Sequence, residues 1–335
     1  MTRRLGLGLA LLLFAAAFGC RSGSSQSTVR SDDQAQSSGY IWTELTEHAA
    51  FPASYNFPVY VAKGRMWAMH GEGIWSSADG KVWTRAQLPS IRRNLYQTDY
   101  VLFNDAVYAL GDNTGNYEAI SFKPRVRRTT DFRRWEILSE HSNFPERIFR
   151  GVAVFDGKLW LLGGYDGKSY FNDVWNSTDG VTWTRVTEHT AWSPRTVGQP
   201  FVFRGRLYII GGGAIDGDTQ TNPSSTREIW STADGKDWIK TLDEMPMIVG
   251  GAPVIFDDKL WLVGANRDGT FGRSSMVSSD AVEWIEHRAP WSPRGGAAAW
   301  VMDNKLYMTG GKYSVTENGE IRFIYSNDVW IMSKK

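Results

Sequence analysis

The chain has 335 residues, of which 42% are hydrophobic, and it contains 16 Trp, 13 Tyr and 16 Phe. Its formal net charge of +1 gives no electrostatic reason to expect a nucleic-acid partner, and its single cysteine, Cys20, excludes an intrachain disulfide. Aromatic side chains suit the half-buried face of a pleated sheet. The composition therefore favours an all-β protein large enough to bury a sizeable core.

Residues 1–19 have the pattern of a secretory signal peptide. Arg3 and Arg4 precede an apolar run from Leu5 to Phe18, which is shorter than a bilayer-spanning helix needs to be. Without this segment, 35 basic residues (37 − 2) face 36 acidic ones, so the balance becomes −1. This balance does not favour binding of the whole domain to an anionic surface.

The end of the signal segment predicts a lipid anchor. Ala17-Phe18-Gly19-Cys20 resembles the lipobox of bacterial lipoproteins, in which the cysteine thiol receives a diacylglyceryl group, although Ala17 and Phe18 depart from the usual pattern. Ordinary signal cleavage is the alternative. Residues 20–39 are rich in Ser, Gln and Gly and predict a disordered tether before a domain at 40–335. We expect a protein of the bacterial cell envelope, held in the outer membrane or facing the periplasm.

Two strings recur along the domain. The first contains a tryptophan, and its five copies start 52, 48, 55 and 46 residues apart: SSADGKVW 76–83, RTTDFRRW 128–135, NSTDGVTW 176–183, STADGKDW 231–238 and VSSDAVEW 277–284. Self-similarity at this spacing indicates a repeat architecture. The Asp-Gly pair in this string predicts a two-residue hairpin turn, followed by a strand that opens on the tryptophan.

The second string lies before the first and has glycine at one or both of its last two positions. Its six copies are GRMWAMHG 64–71, DAVYALGD 105–112, GKLWLLGG 157–164, GRLYIIGG 205–212, DKLWLVGA 258–265 and NKLYMTGG 304–311. Another apolar run lies before each copy and is joined to it by a short turn such as Asp156-Gly157. Each unit is therefore predicted to be an antiparallel meander of strands a, b, c and d.

The sixth unit reaches Lys335 without room for strand d. The missing strand is predicted near the start, because YIWTELTEH 40–48 matches VTWTRVTEH 181–189 at five of nine positions. We expect this N-terminal strand to pair with the strand that holds Trp330. Closure of this kind removes two exposed sheet edges, so the sequence predicts a ring of six blades.

The repeats resemble the kelch family of β-propellers across about residues 40–333. The features that carry the resemblance are doubled glycines, an aromatic residue three to four positions earlier, and the spaced tryptophan: Gly163-Gly164, Gly211-Gly212, Gly310-Gly311, Trp160, Tyr208, Tyr307, Trp183, Trp238 and Trp284. The resemblance implies an all-β, six-bladed propeller, which we expect to be monomeric. We also expect the glycines that end strand b to let an aromatic from the adjoining sheet approach the backbone.

In a propeller the b–c and d–a connections lie on one face, which we call the loop face. The long b–c connections here are 165–172, 213–227, 266–275 and 312–326. Binding residues are commonly carried by long loops on a rigid scaffold. We therefore predict that a glycan, peptide or protein partner binds on the loop face.

Several arginines precede strand a and are candidates for that site. Arg147, Arg195 and Arg294 occupy equivalent positions in three units. The predicted ligand-binding residues are Tyr55, Arg92, Tyr96, Arg147, Arg150, Arg195 and Arg294, with Asn56, Arg93 and Gln97 nearby. Converging guanidinium groups would suit a carboxylate or another anion. The alternative is that each arginine is a repeat feature that ties blade to blade.

Other polar residues favour structural roles. His48, His141, His189 and His287 follow strand d, the outermost strand, so we expect them to cap the blades rather than to bind a metal. Asp216-Gly217-Asp218 resembles the opening of a calcium loop but lacks the glutamate at the twelfth position. The basic strip from Lys123 to Arg134 predicts a solvated outer face.

These patterns favour a cell-envelope binding or scaffolding module attached to the membrane through Cys20, without cofactor or metal. The alternative is a periplasmic sugar mutarotase that resembles the kelch-type sialic acid mutarotases, with Glu146 and Asp99 as candidate acid and base. The chain lacks Gly-x-Ser-x-Gly, phosphate-loop and HExxH motifs, and residues 40–335 lack the cysteine that the copper-radical oxidases crosslink to tyrosine. Catalysis is therefore the less favoured prediction.

Overall fold

The computed structural model of the chain describes residues 30–31, 39–87, 99–112, 114–116, 119–121, 123–213, 226–245, 251–264, 266–267 and 270–335. In these ranges the chain forms strands, turns and loops without a helix, and the main sheets are six antiparallel meanders. The prediction of an all-β, six-bladed propeller is confirmed.

The blades are numbered in chain order, with strands a to d in sequence. Blade one is Val59–Ala62, Arg65–His70, Gly73–Ser77 and Thr84–Gln87; blade two is Asp99–Phe103, Ala106–Leu110, Val126–Thr129 and Glu136–Ser139; blade three is Gly151–Phe155, Lys158–Tyr165, Tyr170–Ser177 and Thr184–Thr187. Blade four is Phe201–Phe203, Arg206–Ile210, Ile229–Thr232 and Trp238–Leu242; blade five is Ala252–Phe256, Lys259–Val263, Ser274–Ser278 and Ile285–Arg288; blade six is Ala298–Met302, Lys305–Thr309, Val329–Lys334 and Tyr40–Thr46.

Further short strands extend from this ring. Hairpins in the b–c connections are Thr114–Asn116 with Ala119–Ser121, Asn266–Arg267 with Thr270–Phe271, and Lys312–Glu317 with Glu320–Tyr325. Arg30–Ser31 pairs in parallel with Ile285 and Glu286 on the outer edge of blade five. The predicted signal segment, Cys20 and most of the predicted tether lie outside the described residues.

Blade six is closed by the N-terminal strand, as predicted. Trp42 pairs with Met332 and Glu44 pairs with Trp330 in an antiparallel ladder. The fourth strand of the last blade therefore comes from the beginning of the domain. Unfolding of either end of the domain must break this sheet, so closure couples the two termini.

The core is divided among the blade interfaces. In the described part of the chain, six clusters of buried side chains each join two adjacent blades. One cluster lies at each interface of the ring, including the interface between blades six and one. Trp183 belongs to the cluster between blades two and three, is 3% exposed, and has its ring 6.1 Å from that of Phe144. The predicted place of Trp183 in a blade interface is confirmed.

The two-residue turns join strands a and b. Each of the six a–b turns in the described chain has positive φ at both central residues, as at Asp156 (φ 49°) and Gly157 (φ 65°). Two positive φ angles are the geometry of the type I′ hairpin turn, whose twist matches that of the flanking strands. The six a–b turns on the face opposite the loop face therefore share one backbone geometry.

The c–d connection is longer than the predicted two-residue turn. In blade three, Ser177 Oγ accepts a hydrogen bond from the Gly180 backbone N–H at 2.8 Å, and Asp179 Oδ1 accepts from the backbone N–H of Thr182 at 2.8 Å. Trp183 Nε1 donates to the Gly180 carbonyl at 3.0 Å, and strand d begins after it, at Thr184. The Asp179 side chain thus organises the loop of blade three, and Trp183 lies within it. In blade four, strand d begins on Trp238, as predicted.

Glycine in this loop is required for close packing against the preceding blade. A Cβ at Gly235 would lie 2.0 Å from Trp160 Cζ3, and φ is +77°. We expect Gly235→Ala to lower the free energy of unfolding by about 2–5 kcal/mol, from a left-handed alanine and an overpacked ring. Gly205→Ala is the matched control, because φ is +72° and no atom lies within 4 Å of the added Cβ. Equal losses in a urea titration would show that the contact with Trp160 has no energetic weight.

Candidate functional site

The arginines that precede strand a are buried and bound to their own blades. Arg294 is 0% exposed and donates to both carboxylate oxygens of Asp328, at 2.5 and 2.7 Å, and to the Gly310 carbonyl at 3.1 Å. Trp330 Nε1 donates to Asp328 Oδ2 at 2.8 Å. Bidentate pairing of this kind satisfies two charges that would otherwise be costly to bury.

Blades three and four repeat this arrangement. Its members are Arg147, Asp173 and Trp175 in blade three, and Arg195, Glu228 and Trp230 in blade four. In blade one, Gly73 stands at the position of the carboxylate and Ser54 at that of the arginine. In blade five, these positions are occupied by Ser274 and Ile248. Arginine and carboxylate are thus present or absent together in these blades, as expected for a pair that is stable only when complete.

The doubled glycines make room for these arginines. A Cβ at Gly311 would lie 3.0 Å from Arg294 Cβ, and one at Gly212 would lie 2.2 Å from the Thr196 carbonyl oxygen. The predicted contact with an adjoining aromatic is found at Gly310, beside Phe57 Cε1 at 2.9 Å. The prediction that these glycines make room for an aromatic residue was therefore incomplete. Most of the close contacts of the doubled glycines are with the arginine and with the backbone of the d–a connection.

Arg150 joins two blades. It donates to Asp99 Oδ2 at 2.6 Å and to the Leu110 carbonyl at 3.0 Å, both in blade two. Arg147, Arg195 and Arg294 therefore make internal bonds within their own blades, whereas Arg150 ties blade to blade, as the structural alternative predicted for each arginine. Ligand contact by them stays a prediction. Arg92 and Tyr96, with Arg93 and Gln97, lie outside the described residues.

The ion pair of blade four predicts a dependence of stability on pH. Desolvation opposes ionisation of Glu228, but hydrogen bonds from Lys240, Trp230 and Arg195 prevail and lower its pKa to about 2. Since the pKa is depressed in the folded state, the stabilisation is complete above the ordinary value near 4.5 and is lost as the pH falls towards 2. The difference in stability between the wild type and Glu228→Gln should shrink across this interval in urea titrations, and a constant difference would contradict the pairing.

A repeated set of asparagine contacts, which we call the asparagine clamp, was not predicted from the sequence. Asn327 Nδ2 donates to the carbonyls of Ala49 and Phe51 at 3.0 Å each, and its Oδ1 lies 3.3 Å from His48 Nδ1. Asn172 makes the same contacts in blade three, including one with His189. The repeated Asn-Asp-Val-Trp at 172–175 and 327–330 could have revealed both clamps. His48 and His189 cap their blades as predicted.

The other polar candidates have ordinary structural surroundings. No cluster of three or more His, Cys, Asp or Glu suited to a metal occurs among the described residues, and Asp216 and Asp218 lie outside them. Arg127 is 2% exposed and donates to Asp112, while Arg128 donates to Glu136. The prediction of a solvated basic strip is therefore wrong for Arg127, because blade two buries that side chain beside a carboxylate.

The loop face carries an exposed aromatic surface on the hairpin of blade six. Ile321 is 71% exposed, Phe323 45% and Tyr325 42%. Tyr55, one of the predicted binding residues, lies beside them, with its ring 5.6 Å from that of Tyr325. Lys312 Nζ lies 4.2 Å from the centroid of the Tyr55 ring and 4.7 Å from that of Phe323. We call these five residues the blade-six patch.

Comparison with known proteins supports the repeat assignment. A family model described as Kelch motif matches residues 146–176, a segment that includes Arg147, Gly163-Gly164 and Asp173. No curated protein matches the chain significantly. The fold defines the class as a six-bladed β-propeller. The matched segment places a kelch motif in blade three of this propeller. The described residues contain no helix that is long and apolar enough to cross a membrane.

Proposed function

We propose that this propeller is a binding or scaffolding module for a glycan, peptide or protein ligand and that its working surface is the loop face. The observation that carries the proposal is an asymmetry between the two faces. Hairpins extend the b–c connections of blades two, five and six, whereas each a–b turn on the other face has two central residues. Variable connections on a rigid ring are suited to recognition, and kelch propellers generally bind proteins or other ligands.

The proposal is tested by site-specific photocrosslinking in cell envelopes. A crosslinking amino acid at Thr316, on the loop face, should give a discrete product, and the same amino acid at Val82 should not. Val82 is a matched position because it is exposed, at 65%, in the c–d connection of blade one on the opposite face. Products of equal yield at both positions, or a product from Val82 alone, would contradict the assignment of the loop face.

We further propose that the protein is a lipoprotein of the cell envelope, anchored by Cys20. The support comes from the lipobox-like Ala17-Phe18-Gly19-Cys20 and from the polar segment that follows it. Cells that express the full chain should incorporate an alkyne-labelled fatty acid into the wild type but not into Cys20→Ser, and only the wild type should sediment with membranes. Label in both proteins, or soluble wild type, would contradict the anchor.

The alternative of a sugar mutarotase has one observation in its favour. Desolvation raises the pKa of the Asp99 carboxyl, although Arg150 acts in the opposite direction. A raised pKa suits a general acid that must hold a proton near neutrality. Anomer exchange of an acidic sugar, followed by NMR, should then be lost in Asp99→Asn. Exchange at the uncatalysed rate with the wild type would exclude this activity.

A further inference from the structure

The hairpin of blade six presents two chemically different faces. The antiparallel register pairs Lys312 with Tyr325, Ser314 with Phe323 and Thr316 with Ile321. Paired residues share a face of the sheet, so these six side chains form one surface. Glu317, Glu320 and Arg322 belong to the opposite face, where Arg322 and Glu317 form an ion pair.

The outer edge of this hairpin also leaves backbone groups unused. Lys312 exchanges two backbone hydrogen bonds of 2.9 Å with Gly295, so its N–H and C=O point away from Tyr325. In an antiparallel ladder these roles alternate along the strand. The N–H and C=O groups of Ile321, Phe323 and Tyr325 therefore point outward along the other edge, and none of the described strands pairs with that edge.

The blade-six patch differs from the other exposed apolar residues. The remaining large hydrophobic side chains that are exposed in the described ranges occur singly on separate strands or turns: Ile41, Val82, Ile137, Ile239, Ile255 and Ile285. Single exposed residues are normal on a soluble protein, whereas a contiguous group beside a free strand edge is typical of an interaction surface.

The charge of the patch limits the kind of partner. Lys312 is the one ionised residue among the six side chains of this face, and the hairpin's acidic residues face the other way. A second copy of the hairpin, paired edge to edge, would bring no carboxylate to Lys312. A partner segment that carries apolar residues and one acidic residue would complement both features.

We propose that an extended segment of a partner protein adds as a third strand along Ile321–Tyr325. Its main chain bonds to the outward N–H and C=O groups, its alternate apolar side chains pack on Ile321 and Phe323, and an acidic residue approaches Lys312. Strand addition of this kind draws affinity from the backbone and specificity from alternate side chains. The inference rests on the proposed binding function of the loop face.

The test uses the full chain and defined probes. A fluorescent decapeptide of alternating valine and threonine with one central glutamate is compared by anisotropy with its lysine counterpart and with a version N-methylated on alternate residues. We expect the glutamate peptide to bind at least tenfold more tightly than either of the others. Equal affinity for the glutamate and lysine peptides would overturn the role of Lys312, and unchanged affinity after N-methylation would overturn strand addition.

Variants separate the patch from the rest of the hairpin. Ile321→Ser and Phe323→Ser should each weaken binding of the glutamate peptide at least tenfold, while Tyr313→Ser, on the opposite face, should change it less than twofold. Thermal unfolding checks that each variant is folded. A dimer of the wild type that Phe323→Ser disperses would identify a second copy as the occupant and overturn the proposal.

The outcomes also distinguish this inference from the proposed function. Absence of peptide binding up to millimolar concentration, together with a discrete crosslink from Thr316, would reject strand addition but keep the loop face as the working surface. Absence of both would reject the two together. Binding of an oligosaccharide that is lost in Phe323→Ser would overturn the inference in favour of a glycan.

Discussion

Replacing Asp328 with alanine is expected to lower the free energy of unfolding by about 3–5 kcal/mol, because it leaves Arg294 charged, buried and unpaired. The Arg294 side chain is 0% exposed, and Asp328 binds it through two hydrogen bonds and also accepts one from Trp330. A urea titration followed by tryptophan fluorescence measures the loss as a lower midpoint. No other acceptor described near this guanidinium carries a negative charge.

A double variant shows whether the loss comes from the unpaired charge. Arg294→Met with Asp328→Leu removes both charges and keeps apolar volume, so it should be much less destabilising than Asp328→Ala alone. If the double variant loses as much as the single one, the buried pair is not the reason for the effect. Arg147 with Asp173 offers the same comparison in blade three.

Trp183→Ala is expected to cost about 3–5 kcal/mol, because it empties a large site in the interface between blades two and three. Trp183 packs against Phe144, and its Nε1 is bonded to the Gly180 carbonyl. Ile137→Ala is the control, since Ile137 is 52% exposed on strand d of blade two and should change stability by less than about 0.5 kcal/mol. An unchanged urea midpoint for Trp183→Ala would contradict its place in the core.

The architecture could be predicted because the chain repeats itself. Each blade is built from local hairpins whose turn residues and aromatic positions recur, so one regular copy, such as 157–183, indicates the others. Closure by Tyr40–Thr46 was also predictable, because the last unit has no strand d of its own and residues 40–48 resemble the segment 181–189 that leads into strand d of blade three. Local signals were sufficient for these features.

The roles of the arginines could not be decided in the same way. Arg294 and Asp328 are 34 residues apart, and a guanidinium group suits a ligand anion as well as a carboxylate of its own blade. Only the fold brings the two side chains together. The hairpin of blade six was predicted as a long connection, but its free edge depends on the register of Lys312 with Tyr325, which the sequence leaves undetermined.

Closure of the ring is tested most directly by moving the start of the chain. A protein that begins at Gly39 should unfold at the same urea concentration as one that begins at Cys20, because both keep the strand Tyr40–Thr46. A protein that begins at Glu47 should unfold at a much lower concentration, and a synthetic peptide of residues 39–46 should restore the midpoint in a saturable manner. Equal midpoints with and without this strand would contradict a propeller closed by its N-terminus.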